Sequence, residues 1–247
     1  MSSPEQSASD DMGLQREGGK LSPIAKSEFR RTAIATRPVK INSTRGDIVD
    51  EKVVNYGLYN SFNYSLFLPP DDRFVNLSLG ITSPNRGEGK TTAVCNLATA
   101  LALGMGRKTL LIDLNFGKPK LHEVFGTTND IGISEALSGG ELLVTPTLVD
   151  NLYVMSAGQA GPLQPGRSWS FQGVIASLYK EFELILLDLP SVGEKDFPTL
   201  IANQLTGLIV VVKSRKTRRR DIERLFRKVR KETVQAFVMN EVRENDL

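Results

Sequence analysis

Lys90 stands in the run Ser83-Pro84-Asn85-Arg86-Gly87-Glu88-Gly89-Lys90-Thr91-Thr92, whose residue types and spacing suit a bound polyphosphate. Such an anion needs many hydrogen-bond donors at short range and no side chains in the way. Gly87 and Gly89 clear the tight part of the loop, so the backbone N–H groups from Arg86 through Glu88 to Thr92 can face the phosphates. Lys90 adds a point charge for the outer phosphates and the Thr91 hydroxyl suits Mg²⁺. A helix beginning near Thr91 adds the positive end of its dipole. The strict pattern G-x-x-x-x-G-K-[ST] has glycine where this chain has Pro84. An ordinary strand-to-helix turn containing Gly-Lys-Thr is the alternative.

Two carboxylates stand where a nucleotide loop would use them. Asp113 ends the apolar run Leu110-Leu111-Ile112, and Asp188 ends Leu184-Ile185-Leu186-Leu187. A carboxylate at Asp113 can face Mg²⁺ and a γ-phosphate, binding metal water or accepting a proton from a nucleophile. A turn or helix cap is the other use of an Asp at that place. Asp188 sits where Mg²⁺ hydration is usually anchored. The expected catalytic residues are therefore Lys90 and Asp113, and the expected metal residues are Thr91, Asp113 and Asp188. Asn240 closes the apolar run QAFVMN, where its amide could read an adenine edge or cap a loop. His122 has no cysteine or second histidine to complete a nucleophilic or metal set, and Trp169 reads as a packing residue.

These residues need a scaffold that brings strand ends together. Val75, Leu77, Leu79 and Ile81 alternate as a strand before the loop, and Val94, Leu97, Ala98 and Leu101 follow it at helical spacing. Further strand signals fall at 109–113, 152–156, 184–187, 207–212 and 235–239, separated by helical ones. That alternation predicts an α/β fold, a mainly parallel sheet with helices on both faces. Continuously apolar strands such as Ile209-Val210-Val211-Val212 fit burial on both sides. Ligands of such sheets sit beyond the carboxyl ends of the strands, where Asp113, Asp188 and the loop all lie.

Length and composition fit one main domain with an appendage: 247 residues, 40% hydrophobic, formal charge +3. That charge is too small to argue for nucleic acid. The single Cys95, set among apolar helix residues, excludes an internal disulfide and a multi-cysteine metal site. Neither a membrane span nor a signal peptide is evident, so a cytoplasmic protein is expected. Residues 1–48 are polar, with little periodicity, and are expected to be disordered; 49–247 form the nucleotide-binding domain. Within 49–68, Val54, Leu58, Phe62 and Leu66 suit a short helix. Late in the chain Ile222, Leu225, Phe226 and Val229 share one helix face, while arginines and lysines from Arg218 to Lys231 make a basic one, read as solvated or partner-facing.

The order ITSPNRGEGKTT, LLIDLNFGKPKLHEVFG, LILLDLPSVG, GLIVVVKSRKTRRRDIE resembles the bacterial tyrosine kinases of polysaccharide export, P-loop proteins related to septum-site and plasmid-partition ATPases. The resemblance covers roughly residues 50 to 247. It implies a P-loop three-layer sandwich, ATP and Mg²⁺ as cofactors, self-association, and a membrane chain-length regulator whose cytoplasmic part recruits the protein to the inner membrane. It places the first motif at Gly87, Gly89, Lys90 and Thr91, the second at Asp113 and the third at Asp188. Partition ATPases carry an extra lysine where Asn85 stands, which favours the kinase branch over a positioning ATPase.

Three departures qualify what is carried over. No tyrosine follows Tyr179, so phosphorylation of a C-terminal tyrosine cluster is not expected. The second motif usually reads Asp-x-Asp followed by arginine, and Asn115 and Gly117 occupy those places, a change worth a roughly 10–100-fold weakening by analogy with disturbed metal shells. Val53, Tyr56 and Tyr59 replace a ring-forming Glu-x-x-Arg-x-x-Arg helix. The functional expectation is a tyrosine-kinase-like ATPase of exopolysaccharide biosynthesis, with a catalytically weak, nucleotide-switched regulator as the alternative and a partition- or positioning-type ATPase as the second alternative.

Overall fold

The structure, a computed structural model, describes residues 39–41, 44–47, 50, 52–54, 76–161 and 170–242. The chain divides into Met1–Ala33 and Ile34–Leu247, and every described residue belongs to the second unit. Its strands are β1 Val39–Ile41, β2 Leu77–Thr82, β3 Thr109–Asp113, β4 Leu142–Pro146, β5 Leu152–Met155, β6 Leu184–Asp188, β7 Gly207–Lys213 and β8 Val234–Asn240. Its helices are α1 Lys90–Met105, α2 Leu121–Val124, α3 Ile133–Leu137, α4 Ser170–Leu178, α5 Thr199–Ala202 and α6 Arg219–Leu225.

The strands form one sheet in the order β1-β4-β5-β3-β6-β2-β7-β8. All pairs are parallel except β4 with β5. Successive side chains of a strand point to opposite faces, so a strand covered on both sides must be apolar at every position. Strand β3 does this: Leu110 and Ile112 join one core, Leu111 the other. The first core packs Ile185, Leu187, Leu208 and Val210 against α3, α4 and Leu225 of α6. The second packs Ile81, Leu186 and Ile209 against Val94, Leu97, Ala98 and Leu101 of α1. Burial of one such leucine contributes roughly 1.5–3 kcal/mol. The outcome is the mainly parallel three-layer sandwich expected.

All six strand signals correspond to strands, with ends shifted by at most three residues. Strands β1 and β4 lie outside them. The β4 run closes on Pro146, a residue that argues against a central strand, and its mixed parallel and antiparallel pairing places it near the sheet margin. Strand β1 lies before residue 48, where the sequence sets the expected start of the domain. Val39–Ile41 pairs with Leu142–Val144, and the Gly46 amide donates to the Pro146 carbonyl at 2.8 Å. These backbone hydrogen bonds give a polar, weakly apolar stretch its place on the sheet, a non-local gain that composition does not register. Most of the expected disordered segment, the helix expected over 49–68 beyond Val54, and Trp169 lie outside the described residues. Among the described residues no helix is long and apolar enough to cross a membrane.

Candidate nucleotide-binding site

Strand β2 lies between β6 and β7, and the chain continues through α1 to β3, on the far side of β6. That crossing opens a crevice at the carboxyl end of β2, and the Ser83–Gly89 loop fills its rim. Gly87 and Gly89 have φ of 73° and 92°, the left-handed region in which a side chain is strained. A Cβ on Gly89 would also lie 2.1 Å from Asn240 Nδ2. That same Nδ2 donates to the Glu88 carbonyl at 3.1 Å, so the last residue of β8 straps the loop. Of the two uses the sequence allows for Asn240, the amide nitrogen is thus engaged as a cap.

Glu88 is buried, with its carboxylate turned into the protein. It accepts from the Asn85 backbone at 2.9 Å, Asn85 Nδ2 at 3.1 Å and the Thr217 hydroxyl at 2.6 Å. Arg224 donates to Asn85 Oδ1 at 2.7 Å. Glu88 therefore has its main-chain N–H left for a phosphate, while its side chain latches the loop to the β7–α6 turn. Arg86 reaches outward and pairs with Glu194 at 2.6 Å. Lys228 donates to the carbonyls of Val192 and Glu194 at 2.8 and 3.1 Å. The helix expected to run on to Val229 ends at Leu225, and the basic stretch read as solvated or partner-facing also holds two loops of the site, through Arg224 in α6 and Lys228 in the turn beyond it.

Gly87, Gly89, Lys90, Thr91 and Thr92 line a cavity of about 290 Å³. Arg86, Lys118 and Lys120 add cations, against the single carboxylate of Glu194. Lys90 is buried and has no hydrogen-bond or ion-pair partner among the described residues. Four cations converging on a small cavity at a helix start favour a multiply charged anion.

Asp113 and Asp188 stand opposite each other in the β3–β6 register. The Thr91 hydroxyl donates to Asp188 Oδ2 at 2.7 Å, and the buried Oδ1 has no partner. Burial, then the neighbouring Asp113 charge, pushes the Asp188 carboxyl up to about 7, against the Thr91 hydrogen bond and the Lys90 charge. Asp113 is held by backbone amides. Its Oδ1 accepts from the Asn115 amide at 2.9 Å, and its Oδ2 from the amides of Lys120 and Leu121 at 2.8 and 3.1 Å. These bonds cap the turn and the start of α2; like Asp188, Asp113 is fully buried and stands behind the cavity wall rather than lining it. Asn115 does line the cavity, and its buried Oδ1 has no partner.

The Thr91 hydroxyl, Asp188 Oδ1 and Asn115 Oδ1 are hard oxygen donors, two of them orphaned in a buried place. They fit Mg²⁺, which keeps several waters and is completed by substrate phosphates. No cluster of three His, Cys, Asp or Glu suited to a metal exists among the described residues.

Sequence reasoning missed Lys118, Lys120, Glu194, Arg224 and Lys228. The first three follow the strands that end at Asp113 and Asp188, so their place beyond the strand ends is the signal that could have found them. Arg224 and Lys228 carry no such signal, because helix periodicity assigns them to the polar side.

Residues 79–247 match the CobQ/CobB/MinD/ParA nucleotide binding domain. Tyrosine-protein kinase CpsD of Streptococcus pneumoniae serotype 4 (strain ATCC BAA-334 / TIGR4) is 32% identical over 172 residues, covering 67% of this chain and 74% of that protein. The chimerical protein CapA2B2 superposes with a TM-score of 0.65 at 22% identity, over 81% of this chain and 94% of the other. The septum site-determining protein MinD of Pyrococcus horikoshii OT3, solved with Mg-ADP, gives 0.54 at 24% identity, over 69% and 73%. Both structural likenesses carry the fold. With the phosphate loop, its paired carboxylates and these relatives together, the chain belongs to the CobQ/CobB/MinD/ParA nucleotide-binding domain family and, within it, to the bacterial tyrosine-protein kinases.

Proposed function

We propose that this protein binds ATP with Mg²⁺ and works as a cytoplasmic tyrosine-kinase-like ATPase of exopolysaccharide biosynthesis, beside the cytoplasmic part of a membrane chain-length regulator. The observation that carries the nucleotide reading is the orphaned Oδ1 of Asp188 beside a Thr91 hydroxyl that follows an unpaired, buried Lys90. Mg²⁺ would be held by Thr91 and, through water, by Asp188 and Asn115, and when bound would neutralise charge between the outer phosphates. Phosphoryl transfer through a loose transition state relies mostly on positioning and on charge stabilisation. The loop amides and Lys90 supply these, with Lys118 and Lys120 at the cavity wall. Asp113 enters as the residue that fixes the turn carrying Asn115 and Lys120. With labelled ATP, Mg²⁺ and the cytoplasmic tail of the membrane partner, label is expected on tyrosine.

A second reading is a nucleotide-switched regulator with weak or absent phosphotransfer. Asn115 supports it, since an amide stands at the cavity where relatives of this type are expected to offer a second carboxylate. Nucleotide binding without label on tyrosine selects this reading. Failure of nucleotide binding defeats both.

A further inference from the structure

Strand β8 closes one end of the sheet: β7 pairs with one of its sides, and no strand among the described residues pairs with the other. An open strand edge offers a row of backbone donors and acceptors, and folded proteins usually guard it with lysine, proline or a bulge. The sequence of β8, VQAFVMN, contains no charge and no proline, and the one register shift lies at its start, opposite Leu208 and Ile209. Phe237 and Met239 are 47% and 58% exposed and alternate along the strand, so they share one face. The Phe226 ring meets Phe237 edge to face, centroids 6.4 Å apart, and Lys231 Nζ sits 5.8 Å from the Phe226 centroid. An apolar stripe with a cationic rim therefore runs beside an unguarded strand edge.

We infer that the free edge of β8 docks an extended acidic peptide with apolar residues at alternate positions, which joins the sheet as a further strand. Main-chain hydrogen bonds would supply the affinity, the apolar residues would cover Phe237 and Met239, and the acidic ones would meet Lys231 and the exposed Arg227. A second copy of this chain is disfavoured as the occupant. The stretch Phe226–Thr233 holds Arg227, Lys228, Arg230 and Lys231 against Glu232, and β8 itself, VQAFVMN, carries no acidic residue to answer them from a second copy. A lipid surface cannot use the strand's backbone groups at all.

The test takes the full chain and two labelled peptides of about six residues, alternating Glu–Val and alternating Lys–Val, read by fluorescence anisotropy and hydrogen exchange. The Glu–Val peptide is expected to bind and to slow exchange of the amides between Ala236 and Met239, with the Lys–Val peptide about tenfold weaker. Phe237→Ser with Met239→Ser is expected to weaken Glu–Val binding about tenfold or more while circular dichroism stays unchanged. Should that pair fail to fold, Arg227→Glu with Lys231→Glu serves, and is expected to reverse the preference toward Lys–Val. Equal binding of both peptides, binding without protection at β8, or no binding overturns the proposal. A dimer in sedimentation that Phe237→Ser with Met239→Ser dissolves also overturns it, in favour of a second copy.

Discussion

The Thr91 hydroxyl donates to Oδ2 of Asp188 at 2.7 Å and leaves the buried Oδ1 of that carboxylate with no partner. One oxygen is thus fixed by the first turn of α1, and the other is available to a metal water. The pair links the phosphate loop to the end of β6, two strands that are neighbours in the sheet.

Under the proposed function, this arrangement makes Mg²⁺ binding depend on pH. Burial and the adjacent Asp113 charge raise the Asp188 carboxyl to about 7, so without ligand it is largely protonated in mildly acid solution. The folded state then holds a proton that the unfolded chain releases near its ordinary pKa, and stability from this group falls as pH rises from about 4 to about 7. Mg²⁺ coordination through water needs the ionised form and displaces that proton. Mg²⁺-dependent nucleotide affinity is expected to rise between about pH 6 and about pH 8, and to lose that slope in Asp188→Asn. Calorimetric titrations in buffers of different ionisation enthalpy check both the slope and the proton release.

Asp113 accepts from three backbone amides, and removing it strands them. Asp113→Ala is expected to lower stability by about 1–3 kcal/mol in urea melts. Nucleotide affinity should fall with it, because Asn115 and Lys120 lose the turn that presents them.

Asn115→Asp returns a carboxylate to the cavity wall. An increase of about 10-fold or more in Mg²⁺ affinity is expected, measured by metal titration at saturating nucleotide. If turnover rises in parallel, the amide is what holds the natural chain back, and the regulatory reading gains.

The loop latch has its own signature. Thr217→Val keeps the shape but removes the hydroxyl that donates to Glu88 and accepts from the Lys213 amide, at a cost of about 1–3 kcal/mol. Asn85→Ala removes the contacts to both Glu88 and Arg224. Both variants are expected to weaken nucleotide binding several-fold without unfolding, which thermal melts and titrations separate.

What the sequence could and could not reveal follows from the range of the forces involved. Gly87, Gly89, Lys90 and Thr91 are contiguous, so their chemistry is written locally, and the apolar runs before Asp113 and Asp188 encode strands buried on both faces. Their convergence follows from parallel topology alone. The fate of Asp113 depends on the amides of Lys120 and Leu121, seven and eight residues later, which no spacing rule connects to it. Strand β1 is ordered by a partner about a hundred residues away, and Arg224 reaches Asn85 across 139 residues of sequence. Such pairings appear only once the chain is folded.

The central claim is that Lys90 and its loop hold the phosphates of ATP. Isothermal titration of the purified full chain with Mg-ATP, beside Lys90→Ala, tests it most directly. Binding by the natural chain is expected, with none detectable in the variant at the same concentrations and circular dichroism unchanged. Equal binding by the two proteins, or binding by neither, would contradict it.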